Sequence, residues 1–158
     1  MKNILVPVDG SSNSLRAVKF AISEAKHGPT TIHLLHVVPE FDDYGMVGAY
    51  LSEHQRRQIM NKRADAILKR GTATLQAAKS TFKVHMVVGD TAEKIPATAR
   101  RLRCSSIIMG TRGMGMLGTL VLGSIATKVI HLAKVPVTLV KYVHCRPYLR
   151  AASSDAQD

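Results

Sequence analysis

Residues 105–130 read SSIIMGTRGMGMLGTLVLGSIATKVI. The apolar run at 105–109 predicts a buried strand, and a loop with glycines at 110, 113, 115, 118 and 123 follows it. The residues from Ser124 onwards predict a helix with Ser124 as its N-cap. A strand, a glycine loop and a helix N-terminus together turn backbone N–H groups towards an anion. This order predicts a phosphate or nucleotide site; the alternative is a surface loop without a ligand.

Two familiar phosphate motifs match this loop by letter but not by context. Residues 113–118 spell G-x-G-x-x-G, but the predicted strand ends before Gly113 and residues 119–154 contain no Asp or Glu for a ribose. Residues 118–123 have the glycine spacing of a P-loop, but Ser124 stands where that motif needs Lys. Neither motif therefore explains the loop.

The N-terminal third predicts a strand, a helix and a second parallel strand. Met1 to Val8 is an apolar run that ends in a turn, and Thr31 to Val38 is a second apolar run after a helical segment. Asp9 follows the first strand, at the edge where ligands bind in open parallel sheets. Its carboxylate is suited either to a ribose hydroxyl or Mg²⁺, or to capping the following helix.

The spacing G-x2-G-x9-G-S, from Gly110 to Ser124, resembles the nucleotide loop of the universal stress protein family. The resemblance extends to the strand at 135–140 and to the turn Pro7 to Ser11, and it covers residues 1–141. It implies one α/β domain with a doubly wound, Rossmann-like sheet, similar to the adenine nucleotide α-hydrolases. The sheet has five parallel strands in the order 3-2-1-4-5 with helices on both faces. Residues 142–158 are predicted to be a polar tail.

The resemblance also implies a set of nucleotide contacts. Adenine is expected between Val8 and the backbone of Val37 with Met109 over it, and Asp9 is expected to hold the ribose or, alternatively, Mg²⁺. Arg112 either reaches the phosphates or is solvated. The implied nucleotide-binding residues are Pro7, Val8, Asp9, Val37, Met109, Gly110, Arg112, Gly113, Gly123, Ser124, Ile125 and Ala126.

The implied function is a stress-response regulator that binds ATP or AMP, with slow ATP hydrolysis at most. A homodimer through the last strand, Val137 to Val140, is also implied. Two other classes remain open. A small nucleotide-using enzyme of the α-hydrolase type would need a positioned acid or a further domain. A basic nucleic-acid-binding protein would show a steep salt dependence.

The composition of the 158 residues is that of a globular protein with a net charge of +11. The densest basic stretch carries Arg56, Arg63 and Arg70 at one border of a helix, and without interleaved aromatic residues it predicts a solvated face rather than a nucleic-acid surface. Cys104 and Cys145 form no C-x-x-C motif, so a reducing, cytoplasmic compartment is expected. No apolar run approaches about 18 residues, so no membrane span is expected.

The remaining pattern predicts a long helix at 51–80 and a strand at 82–88, with a possible interruption of the helix at Gly71. Asp90 and Glu93 have the spacing of a capping box, and Pro96 inside the next helix predicts a kink or a late start there. Two histidines, His33 and His36, are three residues apart on one strand, so they should face opposite sides and share no metal. No catalytic centre is predicted.

Overall fold

The computed structural model describes residues 1–39, 52–111 and 122–141. The predicted tail at 142–158 lies outside these ranges. The elements in chain order are β1 (Lys2–Pro7), α1 (Ser12–Ala25), β2 (Thr30–Val38), α2 (Glu53–Ala77), β3 (Phe82–Val88), α3 (Thr91–Arg101), β4 (Ser106–Gly110), α4 (Ser124–Leu132) and β5 (Val137–Val140).

The strands form one all-parallel sheet in the order β3-β2-β1-β4-β5, which confirms the predicted order. β1 lies at the centre, with Pro7 opposite Leu35 on β2 and Leu5 opposite Ile107 on β4. Both edges of β1 are paired and both faces are covered, so its sequence is a continuous apolar run rather than an alternating one.

Alternate residues of the central strands enter two separate cores, one on each face of the sheet. The core under α1 and α2 contains Ile4, Val6, Val8, Ala17, Val18, Ala21, Ile32, Leu34, Leu68, Leu75 and Ile108. The core under α3 and α4 contains Leu5, Leu35, Val37, Ala92, Ile95, Ala99, Cys104, Ile107, Met109, Ala126 and Val129. Helices therefore cover both faces, as the doubly wound arrangement requires.

Helix α2 runs without interruption through Gly71, so the predicted break there is wrong. Gly71 is buried, and a Cβ at this position would lie 2.9 Å from Leu34 Cδ2 on β2. The glycine therefore allows close packing of the helix on the sheet. Helix α2 reaches the core only from Ala64 onwards, because Ile59, further towards its N-terminus, is 41% exposed.

Helix α3 begins at Thr91, so the predicted late start at Pro96 is wrong. Asp90 is its N-cap, and the Glu93 N–H donates to Asp90 Oδ1 at 3.0 Å. This cap sets the start of the helix upstream of the proline, which lies inside the helix.

Candidate functional site

The carboxyl ends of β1 and β4 lie side by side, and the chain leaves them towards opposite faces of the sheet. After β1 it enters α1 on one face, and after β4 it reaches α4 on the other. A Cβ on Gly110, at the end of β4, would lie 3.0 Å from Asn13 Cβ and 3.1 Å from the Asn13 backbone carbon. The end of β4 thus contacts the first turn of α1, at a topological switch point of the kind where ligands bind.

Asp9 lies in the turn between β1 and α1 and stabilises that turn. The Ser11 N–H donates to Asp9 Oδ1 at 3.0 Å, and the Asp9 N–H donates to Ser14 Oγ at 3.4 Å. Ser11 is the N-cap of α1, because its Oγ accepts from the Ser14 N–H at 3.1 Å. The alternative that Asp9 caps this helix is therefore wrong. Asp9 Oδ2 accepts no hydrogen bond from the described residues.

The N-terminus of α4 presents three backbone donors. The first helical hydrogen bond runs from the Thr127 N–H to the Gly123 carbonyl at 3.0 Å. The N–H groups of Ser124, Ile125 and Ala126 therefore have no partner within the helix. Together with the positive end of the helix dipole, they form an arrangement suited to an anion.

One prediction about this N-terminus is corrected by the geometry. Gly123, not Ser124, is the N-cap, and it supplies no side-chain cap. Ser124 is the first helical residue and is exposed. Gly123 has φ −65° and ψ 149°, a backbone conformation that any residue adopts.

Backbone hydrogen bonds connect the described residues on either side of the glycine loop. The Gly123 N–H donates to the Thr111 carbonyl at 3.0 Å, and the Thr111 N–H donates to the Val140 carbonyl of β5 at 3.3 Å. These bonds join the end of β4 to the start of α4. Of the predicted contacts, Arg112 and Gly113 lie outside the described residues.

The residues predicted to surround adenine do not share one face of the sheet. Val8 lies in the core under α1 and α2, whereas Val37 and Met109 lie in the core under α3 and α4. Pro7 is the last residue of β1 and is buried. The side chains of Val37 and Met109 therefore lie on one face of the sheet and that of Val8 on the other, so Val8 does not lie opposite Val37.

The peptide groups of Val37 point towards the β1 side of β2, beyond the end of β1. The Leu35 carbonyl accepts from the Val8 N–H at 2.8 Å, so the peptide groups of Leu35 point towards β1. Backbone groups alternate along a strand, so those of Val37 point the same way. β1 ends at Pro7, which leaves the N–H and carbonyl of Val37 beyond the last paired residue. This position suits hydrogen bonds to the edge of a base.

Two contacts to the Asp9 turn were not found by sequence reasoning. His36, which is 8% exposed, has Nδ1 at 2.8 Å from the Val8 carbonyl. Arg70 of α2 donates from Nη1 to the Gly10 carbonyl at 3.1 Å. Arg70 is exposed, in keeping with the predicted solvated face, and its guanidinium makes this contact as well. No local pattern links residues 60 positions apart.

A second histidine contact lies away from this edge. His33 Nδ1 is 2.9 Å from His85 Nε2, and the rings stack with centroids 5.1 Å apart. Burial lowers the pKa of both residues below 6.5, and the charges of Lys83 and, for His85, Arg101 lower it further. His33 and His36 are three residues apart within the continuous strand β2, where successive side chains point to opposite faces. This confirms that the two histidines face opposite sides of the sheet. The sequence contains no signal for the His33–His85 contact.

Within the described ranges, no three potential ligands among His, Cys, Asp and Glu come together as a metal site. Among the same residues, no helix is both long and apolar enough to cross a membrane.

Comparison with known sequences places this chain in a family. A sequence model of the Universal stress protein family matches residues 1–141. The chain is 32% identical over 142 residues to a universal stress protein of Methanocaldococcus jannaschii, covering 89% of this chain and 82% of the relative. It is also 32% identical over 140 residues to one of Thermus aquaticus, covering 89% and 98%. The chain belongs to the universal stress protein family.

Solved structures share the fold. Hypothetical protein MJ0577 matches with a TM-score of 0.71 at 27% identity, over 90% of this chain and 96% of that protein. The Archaeoglobus fulgidus universal stress protein in complex with dAMP matches with 0.67 at 22%, over 89% and 98%. A universal stress protein family member from Arabidopsis thaliana with AMP bound matches with 0.64 at 16%, over 91% and 94%. These similarities confirm the Rossmann-like fold.

Proposed function

We propose that this chain binds an adenine nucleotide at the carboxyl edge of β1 and β4 and acts as a stress-response regulator. The observation that carries the proposal is that the N-terminus of α4 is hydrogen-bonded to the end of β4, which in turn contacts the first turn of α1 at the switch point of the sheet. The structural neighbours from Archaeoglobus fulgidus and Arabidopsis thaliana, which hold dAMP and AMP, support an adenine nucleotide as the ligand.

The phosphates are proposed to lie at the N-terminus of α4. The N–H groups of Ser124, Ile125 and Ala126 have no partner within the helix, and the hydroxyl of the exposed Ser124 adds a fourth donor. Each bond to a charged oxygen is worth about 1.5–3 kcal/mol. Such a site accepts the single phosphate of AMP as well as part of an ATP chain.

Asp9 and Val37 are proposed to recognise the nucleoside. Asp9 Oδ2 is free to accept from a ribose hydroxyl, and the unpaired peptide groups of Val37 are placed to bond an adenine edge beside Met109. Asp9 would alternatively hold Mg²⁺. Since one carboxylate is a small share of an octahedral shell, phosphate oxygens and water would supply most ligands of that ion. Bound Mg²⁺ would polarise a phosphate and permit slow ATP hydrolysis.

The test is calorimetric titration of AMP and ATP, with and without Mg²⁺, into the wild type and the Gly123→Val variant. The valine side chain fits the observed backbone angles, so the fold should persist, but it would block approach to the first-turn donors. Loss of two such bonds predicts affinity at least about 100-fold weaker. Ser124→Ala is the milder control. Wild-type affinity in a folded Gly123→Val protein would exclude the proposed phosphate position.

Asp9→Ala separates the two roles proposed for the carboxylate. If Asp9 holds the ribose, the variant should weaken AMP and ATP binding equally, because both nucleotides carry the same ribose. If it holds Mg²⁺, ATP binding in the presence of the ion should weaken most. Unchanged affinity for both nucleotides would remove Asp9 from the site.

We further propose a homodimer through β5. This strand is an edge of the sheet and pairs only with β4 among the described strands. The carbonyls of Pro136 and Val140 accept from residues 107 and 111, so the peptide groups of Thr138 also face β4. The peptide groups of Val137 and Leu139 face outwards, where a second copy would pair.

Leu139→Pro tests this dimer, because it removes an outward N–H and leaves the bonds to β4 in place. The variant should be monomeric by light scattering, whereas Leu139→Ala, which keeps the N–H, should remain a dimer. Thr138→Pro is unsuitable, because it would break the internal ladder. A dimeric Leu139→Pro protein would place the interface elsewhere.

A cytoplasmic location is proposed as well, since the free thiol of Cys104 suits a reducing compartment.

A further inference from the structure

The two carbonyl groups on either side of Asp9 are both held by side chains from other elements. On one side, His36 of β2 lies with Nδ1 at 2.8 Å from the Val8 carbonyl. On the other, Arg70 of α2 donates from Nη1 to the Gly10 carbonyl at 3.1 Å. A carbonyl oxygen only accepts, so His36 carries its proton on Nδ1.

Close packing reinforces these contacts. The Val8 N–H is also bonded, to the Leu35 carbonyl at 2.8 Å, so both peptide groups of Val8 are engaged with β2. Gly10 has φ +85°, and a Cβ there would lie 3.1 Å from Ile67 Cγ1, one turn before Arg70 on α2. The long helix thus contacts the turn through both an apolar side chain and a cation.

We infer that His36 and Arg70 are positioning residues that fix the Asp9 carboxylate for the nucleotide. This inference rests on the proposed function, because it takes Asp9 to be a ligand contact. A turn whose flanking peptides rotate freely must be ordered when the ligand binds, and that ordering weakens binding. Holding both flanking carbonyls orders the turn in advance. Neither side chain needs to touch the nucleotide.

The substitutions separate the hydrogen bond from charge and volume. Arg70→Met removes the donor and keeps an unbranched side chain, and Arg70→Lys keeps the charge and a donor. Lys69→Met is the matched control, because it removes a neighbouring exposed charge whose side chain makes no hydrogen bond to the turn among the described residues. His36→Leu removes the donor, whereas His36→Asn places an amide N–H on the γ carbon, where Nδ1 is attached in histidine.

The readout is the dissociation constant for AMP at fixed salt. Arg70→Met and His36→Leu should each raise it between about threefold and tenfold, the loss expected for one bond of this kind. Arg70→Lys and His36→Asn should recover part of that loss, and Lys69→Met should bind like the wild type. In an Asp9→Ala background, Arg70→Met should cause no further loss, because there is no carboxylate left to position.

Amide hydrogen exchange of residues 9–11 in the ligand-free protein gives a second readout that needs no nucleotide. Exchange should be faster in Arg70→Met and His36→Leu than in Lys69→Met. Wild-type exchange and wild-type AMP affinity in folded Arg70→Met and His36→Leu proteins would overturn the inference, as would a full additional loss in the Asp9→Ala background. If the wild type fails to bind AMP or ATP while exchange accelerates as expected, the proposed function falls and the ordering of the turn stands.

Discussion

The His33–His85 contact predicts that the protein loses stability as the pH falls below about 6.5. His33 is 5% exposed, and its Nε2 is buried without a hydrogen-bond partner among the described residues. In the Nδ1···Nε2 contact one ring must donate and the other accept, so both rings cannot be imidazolium ions. Lys83 and Arg101 add positive charge nearby. The contact therefore excludes a second proton on the pair, and burial and the nearby charges oppose the first.

The sign follows from proton binding in the two states. The pKa of each histidine is lower in the folded protein than its ordinary value of 6.5, so below that pH the unfolded chain binds more protons. Stability is thus complete above pH 6.5 and declines as the pH falls towards the folded pKa. If a histidine stays neutral in the folded protein down to pH 5.5, the free energy of unfolding is about 1.4 kcal/mol lower at pH 5.5 than at pH 7.5. Two give an upper limit of about 2.7 kcal/mol, and His85 contributes less because solvent reaches it.

Urea unfolding at pH 7.5, 6.5 and 5.5 and constant ionic strength measures this loss. Replacing one partner, as in His85→Gln, should remove a large part of the dependence on pH. His131→Gln is the control, since it deletes an exposed histidine at the end of α4. Equal free energies of unfolding at pH 7.5 and 5.5 would refute the reasoning, and so would a His85→Gln protein with the wild-type dependence.

Two further predictions concern packing. Gly71→Val should lower the free energy of unfolding by about 2 kcal/mol in urea titrations, because its Cβ would meet the buried Leu34 side chain at 2.9 Å; unchanged stability would contradict this contact. Burial raises the pKa of the Cys104 thiol to about 11. The test uses a Cys145→Ser protein at pH 8, where about one Cys104 thiol in a thousand is ionised in the folded state. A thiol reagent should therefore react far more slowly with the folded than with the unfolded protein. Equal rates would show that the thiol is accessible.

The strands were predictable because local pattern carries that information, whereas their order was predicted from the family resemblance. A buried parallel strand is an unbroken apolar run, and here the run of β1 ends at Pro7, just before the turn that leads to α1. The position of the candidate site was predictable for the same reason. Asp9 and the glycine loop follow β1 and β4, and parallel strands end at one edge. Phe82–Val88 was predicted to the residue.

The details of that edge depend on contacts between distant residues, so local pattern does not contain them. The register of β2 and β3 brings His33 to His85, and the packing of α2 brings Arg70 to Gly10. The direction of each peptide group depends on the strand with which it pairs, which is why the peptide groups of Thr138 face β4. Neither the composition of a strand nor the spacing along it specifies these relations, because they arise only when separate elements pack at a defined distance and rotation.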